Sequence, residues 1–225
     1  MTELQSRLFG MRDAVYADRQ SKLLSELPRG RIIGVRVKYL RDIAREMERS
    51  PYCREFLDAL PHEFYDEDVL HAIIIERKQG IDNIVPELEA FLPHVTEWFV
   101  CDMMSVRILK AEKPAFLEKI REWTASGEKY FVRFGVRMLM EHYLDSGFLT
   151  EYLDIPAGIV SDEYEVNEMR AWFYTAALIK RWGYTKRIFE AACLDMWTHN
   201  TAIQKALESK LLPDEKKDYL RGLIR

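Results

Sequence analysis

The stretch that decides the fold is Glu97-Trp-Phe-Val-Cys-Asp-Met-Met-Ser-Val-Arg-Ile-Leu-Lys110. Its apolar residues cover most of a helical circumference, so the pattern predicts a buried helix over 97–110. Trp98 and Asp102 are four residues apart and therefore lie one turn apart on the same face of that helix. A carboxylate among apolar neighbours is costly to desolvate unless it has a partner or faces a groove. Asp102 is accordingly either a structural residue, which pairs with Arg107 or a lysine or caps a helix, or a functional acid.

Composition is typical of a globular protein rather than a membrane or secreted one. The 225 residues suffice for one well-buried domain or one extended array of repeats. No apolar run approaches the roughly 18 residues that span a bilayer, and no basic segment leads into an apolar one near residue 1, so we expect no membrane partner and a cytoplasmic location. Cys53, Cys101 and Cys193 suit a reducing compartment, because they form no disulfide framework. No cysteine or histidine stands at metal-ligand spacing, so we expect no metal.

The charge balance excludes one class of nucleic-acid protein. Net charge is −4 and the pI is about 5.8, which argues against a protein that coats nucleic acids nonspecifically. Affinity for phosphates would have to come from local clusters of cations.

Helical patterns dominate, whereas strand alternation and hairpin turns are nearly absent. The predicted fold class is therefore all-α. The sequence predicts helices over 2–9, 12–24, 38–49, 52–59, 66–78, 84–92, 97–110, 114–124, 129–144, 149–155, 163–181, 186–197, 201–209 and 214–223. A turn at Gly183-Tyr184 separates the last long helix from its successor.

The long helices recur at a regular interval. Those that carry Trp98, Arg133 and Trp172 are 35 and 39 residues apart, and a shorter helix stands between each pair. That interval is close to the two-helix HEAT or armadillo unit of about 40 residues. We therefore predict a HEAT/armadillo-like α-α superhelix, a curved solenoid of antiparallel helix pairs, as a single domain over 1–225. Corresponding helices would then bring Trp98, Asp102, Arg133, Arg137 and Trp172 to one groove.

The helix over 129–144 carries a row of cations. Lys129, Arg133 and Arg137 are spaced one turn apart, which is typical of a solvated face but also suits contact with a phosphate backbone. Gly135 in the same helix costs about 1 kcal/mol relative to alanine. It permits either close helix packing or close approach of a ligand.

The longest helix contains Met169-Arg-Ala-Trp-Phe-Tyr174. Aromatic residues at helical spacing are usually core residues, and Phe173 fits that interpretation. Arg170 and Trp172 instead point away from the apolar stripe, near Thr175 and Ile179, so we predict that both lie on an open face.

Four segments together resemble the AlkD-like bacterial DNA alkylation-repair glycosylases, a family with a HEAT-like solenoid. They are Trp98-x-x-x-Asp102, Tyr130-Phe-Val-Arg-Phe-Gly-Val136, Ala171-Trp172 and Ile33-Gly-Val-Arg-Val-Lys-Tyr-Leu-Arg41. The resemblance covers nearly the whole chain in order and length. It implies that Asp102 is the catalytic carboxylate and that Trp98 and Trp172 contact the lesion. It also implies that Lys129, Arg133, Arg137 and Arg170 contact the DNA backbone.

The chain departs from the family pattern at three positions. Glu97 stands where well-known members have a second tryptophan, and Phe134 stands where they have a second consecutive arginine. Lys38 replaces a common proline. Arg137, one turn after Arg133, is the residue that would take the place of the missing arginine.

The chemistry that the resemblance implies is coherent. A purine alkylated at N3 or N7 is cationic and leaves without a general acid. One carboxylate near C1′ then stabilises the oxocarbenium-like sugar and activates a water. The expected activity is hydrolysis of the N-glycosidic bond of such purines in double-stranded DNA, by a monomeric, monofunctional glycosylase without a cofactor. The alternative is a non-catalytic HEAT-like module that binds DNA structures or a protein partner, which the low pI, Glu97 and Phe134 favour.

Overall fold

Helices form all of the regular secondary structure in residues 1–24 and 27–225, which are the residues that the structure, a computed structural model, describes. The predicted all-α class is confirmed. The chain divides into two compact units, unit 1 (Met1–Arg107) and unit 2 (Ile108–Arg225). A single domain over 1–225 stays a prediction. Within the described residues, no helix combines the length and the hydropathy needed to cross a membrane.

Unit 1 contains seven α-helices among its described residues. They are α1 (Glu3–Gly10), α2 (Ala14–Leu23), α3 (Val37–Met47), α4 (Tyr52–Asp58), α5 (Tyr65–Arg77), α6 (Ile81–Phe91) and α7 (Trp98–Met103), with 3-10 turns at Arg29–Arg31 and Leu92–His94. The centre of the unit is α5, which packs against α3, α6 and α7. Its residues from Tyr65 to Ile75 are all buried, as expected for a helix that is apolar around most of its circumference.

The loop before α3 is attached to the start of α5 by one carboxylate. Asp66 accepts the backbone N–H groups of Ile33, Gly34 and Val35 at 2.8, 3.1 and 2.6 Å. Gly34 has a φ of 92°, and a Cβ atom there would lie 2.5 Å from the Cβ of Ala17. Only glycine fits this position, because it needs both the left-handed backbone and the close approach to α2. The Ile33–Arg41 segment is thus fixed at its beginning by a buried acid.

Unit 2 also contains seven α-helices. They are α8 (Lys113–Ala125), α9 (Lys129–His142), α10 (Asp154–Ala157), α11 (Tyr164–Lys180), α12 (Trp182–Glu190), α13 (Met196–Glu208) and α14 (Asp214–Arg221), with a 3-10 turn at Thr150–Leu153. Alternate helices pack side by side, α9 against α11 and α11 against α13, while α8 packs on α9 and α14 on α13. This stacking of alternate helices is that of HEAT-like repeats. Phe134, Phe173 and Tyr174 are fully buried between the helices.

Gly135 serves close helix packing. A Cβ atom at this position would lie 2.8 Å from Cγ2 of Thr124 on α8. The Thr124 hydroxyl donates to the carbonyl oxygen of Ile120 at 2.8 Å, which fixes the side chain that the extra methyl would meet. Of the two interpretations that the sequence allows, contact between α8 and α9 is the one that the structure supports.

The helix predicted over 97–110 is wrong in its second half. The helix α7 ends at Met103, and residues 104–109 are not helical. Ser105 competes for backbone hydrogen bonds, and the β-branched Val106 and Ile108 lose side-chain freedom in a helix. Val106 is buried although it lies outside a helix. The apolar spacing therefore predicted the burial of this segment correctly, but it predicted a helix that is too long.

The helix predicted over 186–197 is also wrong, because that segment spans the end of α12 and the start of α13. Asp195 is the N-cap of α13, and its carboxylate accepts the backbone N–H of Thr198 at 2.8 Å. Ala192 has a φ of 50°, which ends the regular helical path. The expected turn at Gly183-Tyr184 lies instead within the first turn of α12.

Two buried histidines are paired in unit 1. Nε2 of His62 lies 2.9 Å from Nδ1 of His71, and the His71 ring stacks on Phe91 with centroids 4.0 Å apart. Burial lowers the pKa of His62 to about 4 and lowers that of His71 further. Both rings are therefore neutral in the folded protein between about pH 6.5 and pH 4, the range in which a free histidine becomes charged.

This pair predicts a loss of stability in mild acid. As pH falls from about 6.5 to about 4, the unfolded chain binds protons that the folded chain does not, so the folded state becomes less stable. The double variant His62→Phe/His71→Phe lacks both groups. Relative to the parent protein, its free energy of unfolding should rise by about 2 kcal/mol per histidine between pH 7 and pH 5. Urea unfolding at both pH values measures this difference, since all other titrating groups are common to the two proteins. An equal difference at both pH values would contradict the assignment.

The close contact at Gly135 gives a second prediction. Gly135→Ala should destabilise the protein by about 1 kcal/mol, because overpacking outweighs the gain in helix propensity. Adding Thr124→Ser removes the methyl group that the new Cβ meets while keeping the hydroxyl. The double variant should then be more stable than Gly135→Ala alone in urea unfolding. A single variant more stable than the parent would show that the two helices are not in tight contact here.

Candidate functional site

The short helix α7 presents Trp98 and Asp102 on one face. Both residues lie in α7, one turn apart, and both are half-buried. Val100 and Cys101 of the same helix are fully buried, and α7 packs against α5. The indole and the carboxylate therefore share the more exposed face of a helix whose opposite face belongs to the core of unit 1.

Glu97, the residue before α7, is buried rather than part of that face. Only 6% of it is exposed, and its backbone carbonyl accepts the N–H of Val100 at 3.1 Å. Burial is the main cause that raises the pKa of Asp68 to about 7, and the negative charge of Glu97 adds to this shift. Nη2 of Arg31 lies 3.2 Å from the Asp68 carboxylate and opposes that shift. Glu97 thus joins the buried acids of α5.

The row of cations on α9 is paired with acids of unit 2. Nζ of Lys129 lies 2.7 Å from the carboxylate of Glu163, and Nη2 of Arg137 lies 3.6 Å from that of Glu141, one turn away. The Lys129 side chain is about one-third exposed, so its pairing with Glu163 lies at the surface. Of the two interpretations of this row, a solvated face describes Lys129 best.

Arg133 lies inside unit 2. Its side chain is 1% exposed, its guanidinium donates to the backbone carbonyl of Glu165, and Nη1 lies 3.8 Å from the carboxylate of Glu168. Both partners belong to α11. Arg133 is therefore a structural residue that connects α9 to α11. Its burial conflicts with the expectation of a direct contact between Arg133 and a DNA phosphate.

Arg170 is buried in the same way. Nε donates to the carbonyl oxygen of Pro156 at 2.9 Å, and Nη1 donates to the carboxylate of Asp195 at 2.8 Å and the side-chain carbonyl of Asn167 at 2.7 Å. Only 3% of the residue is exposed. The prediction that Arg170 lies on an open face of α11 is wrong, because its guanidinium binds groups of α10 and the N-cap of α13. A direct contact between Arg170 and DNA conflicts with this position.

Trp172 is on an open face, as expected, since 45% of it is exposed. Nζ of Lys205 lies 4.2 Å from the centroid of its ring, a cation–π contact. The same ammonium lies 3.7 Å from the carboxylate of Glu168. The structure therefore brings Arg133, Glu168, Lys205 and Trp172 into one continuous group, which we call the α11 cluster.

Sequence reasoning missed two members of the α11 cluster. Glu168 precedes Trp172 by one helical turn, so its spacing offered a signal. Lys205 is 33 residues after Trp172, and no local pattern connects the two. The structure divides the predicted site between the units, with Trp98 and Asp102 in unit 1 and the remaining residues in unit 2. Convergence on one groove stays a prediction. Among residues 1–24 and 27–225, no group of three or more potential ligands is arranged to hold a metal ion.

Comparison with known proteins identifies the family. The family model described as DNA alkylation repair enzyme matches residues 19–211, which is most of the chain and includes parts of both units. The chain belongs to the DNA alkylation repair enzyme family, and the resemblance inferred from its motifs is confirmed. Neither the curated proteins nor the solved structures yielded a match.

The contrast between Arg133 and Lys129 gives a prediction on one helix. Arg133→Met should lower the free energy of unfolding by about 3 kcal/mol, because it leaves buried acceptors without their donor. Lys129→Met, four residues earlier on α9, should cost less than about 1 kcal/mol, since exposed ion pairs contribute little. Urea unfolding of the two variants measures both values. If Arg133→Met kept full stability but lost affinity for duplex DNA, Arg133 would be a phosphate contact after all.

Proposed function

We propose that this protein is a DNA glycosylase that hydrolyses the N-glycosidic bond of cationic N3- or N7-alkylated purines in duplex DNA. The observation that carries the proposal is the half-buried carboxylate of Asp102, one turn from Trp98 on the more exposed face of α7. Membership of the DNA alkylation repair enzyme family supports the class of substrate.

The reaction requires little of the protein. An alkylated purine carries a positive charge, so the base departs with the electrons of the C1′–N bond and needs no proton from an acid. The deoxyribose becomes positively charged as that bond breaks. A carboxylate beside C1′ stabilises this charge and accepts a proton from the water that attacks C1′. In this proposal Asp102 has both roles.

The two indoles suit a cationic ligand. A tryptophan face attracts a cation with about 0.5–2 kcal/mol. In unit 2, Nζ of Lys205 lies 4.2 Å from the centroid of the Trp172 ring, so this indole already takes part in a cation–π contact within its own chain. We propose that Trp98 and Trp172 each contact the alkylated nucleotide or its neighbours. Glu168 and Lys205 then belong to the surroundings of Trp172.

Contacts with the DNA backbone need cations that can change partners. Lys129 is the best placed of the predicted residues, because Glu163, to which it is paired, is itself half-exposed. A surface pair of this kind contributes little to stability and is screened by salt, so a phosphate can replace the carboxylate. Arg137 is less accessible, since only 16% of its side chain is exposed, and it lies 3.6 Å from the carboxylate of Glu141. We propose these two residues, rather than the buried Arg133 and Arg170, as backbone contacts.

A second candidate function is non-catalytic binding of DNA structures or of a protein partner. The observation that favours it is that Glu97 and Phe134, at two positions where the chain departs from the family pattern, are both buried and so add no tryptophan or arginine to a face that could meet DNA. A module of this kind would use the helical scaffold without the chemistry of Asp102.

The decisive measurement is release of methylated purine from a methylated duplex. The wild-type protein should release 7-methylguanine or 3-methyladenine, and Asp102→Asn should reduce the rate at least about 100-fold, the usual minimum for a lost acid–base group. Binding of the duplex should be retained, because the substitution is nearly isosteric. Asp82→Asn is the matched control, since Asp82 is an exposed acid on α6 of the same unit.

Each result has a distinct meaning. Equal rates for the wild type and Asp102→Asn would remove Asp102 from the mechanism. Duplex binding without any base release by the wild type would replace the glycosylase with the non-catalytic module. A loss of release that Asp82→Asn shares would indicate a general effect of charge in unit 1 rather than catalysis.

A further inference from the structure

A cavity of about 610 Å³ lies in unit 1, and neither Trp98 nor Asp102 is among its lining residues. Its walls come from α1, α3, α4 and the start of α5, and all of its lining residues belong to this unit. Ile43, Met47, Phe56 and Pro61 provide apolar surface. The volume is within the range of about 300–1,000 Å³ typical of small-molecule sites.

The lining of the cavity is strongly acidic. It contains four glutamates but only one cationic side chain, Arg7. Arg7 is already paired with Glu46, which is not part of the lining, at 2.7 Å. The four are Glu3, Glu55, Glu63 and Glu67, and none of them pairs with a lysine or arginine in the described part of the chain. His62 adds no positive charge at neutral pH, because burial lowers its pKa to about 4.

Glu67 is the innermost of these acids and is held in a fixed position. It is 5% exposed, and Oε2 accepts the backbone N–H of Phe64 at 3.0 Å. The side-chain amide of Gln5 lies between Glu67 and Glu63, with Nε2 at 3.5 Å from the first carboxylate and 3.1 Å from the second. Burial raises the pKa of Glu67, so its ionised form lacks the compensation that a cation would give.

Next to the carboxylates is a flat aromatic wall. The ring of Phe56 stacks on His62 with centroids 4.6 Å apart and planes 10° apart. Phe56 and Met47 line the same cavity as Glu63 and Glu67. One buried, fixed carboxylate at Glu67 and one exposed carboxylate at Glu63, in a cavity that also contains an aromatic ring, favour a flat ligand with several N–H donors over a compact metal ion.

We propose that this cavity binds a small planar organic cation of the amidinium or guanidinium type, with its charged end at Glu63 and Glu67 and its flat body against Phe56. No step of the glycosylase proposal uses these residues, so the two proposals stand or fall separately.

Benzamidine is a suitable probe, because it has a planar amidinium on an aromatic ring. Titration of the full chain with methyl-labelled methionine should shift the Met47 resonance, with a millimolar dissociation constant, and leave the buried Met138 of unit 2 unchanged. Benzamide has the same shape without the charge and should bind at least about tenfold more weakly. Benzoate should cause no shift, because its charge is repelled.

Variants at the two carboxylates test the assignment. Glu67→Gln should weaken benzamidine binding by about tenfold while keeping an acceptor for the Phe64 N–H. Glu63→Gln alters an exposed residue without risk to the fold and should also weaken binding. The control Glu48→Gln changes an acid that pairs with Arg77 outside the cavity, and should leave the affinity unchanged. Equal binding of benzamide and benzamidine, or full affinity in both cavity variants, would overturn the proposal, as would the lack of any shift at Met47.

Discussion

Buried guanidinium groups are the interaction on which unit 2 depends. Arg133 connects α9 to α11 through the Glu165 carbonyl and Glu168, and Arg170 connects α11 to α10 and to the N-cap of α13. Each would be costly to bury alone, but each is surrounded by acceptors of its own chain. The row of alternate helices that positions Trp172 is therefore fixed by hydrogen bonds with a definite geometry as well as by apolar packing, which is less directional.

The same two residues explain why the site was harder to predict than the fold. Helix periodicity depends on each segment alone, so most helices and the all-α class followed from the sequence. Whether an arginine is exposed depends on what the neighbouring helices present to it. Arg133 meets Glu168, and Arg170 meets Asp195, from segments 35 and 25 residues away. Nothing in the sequence alone distinguishes either partner from an ordinary surface residue. The row of cations on α9 resembles a phosphate-binding surface, but it includes an arginine, Arg133, that binds groups inside unit 2.

Local sequence features mark the ends of helices better than apolar spacing does. Asp195 caps α13, and α7 ends at Met103, two residues before Ser105, yet apolar spacing favoured longer helices at both places. The relation between Trp98 and Asp102 survived this error, because four residues within one helical segment are enough to place two side chains on one face. A helix of six residues that packs against the most buried helix of unit 1 suffices to hold that pair.

The distribution of charge also changes the meaning of the acidic pI. Unit 1 holds 15 Lys+Arg against 19 Asp+Glu, whereas unit 2 holds 18 of each. The whole surplus of negative charge therefore belongs to unit 1, where four glutamates line one cavity without a basic partner among the described residues. A net charge describes solubility and long-range attraction, but a phosphate responds to the groups within about 10 Å of it. An acidic pI that originates in unit 1 consequently does not count against the proposed contact between the exposed cations of unit 2 and a phosphate backbone.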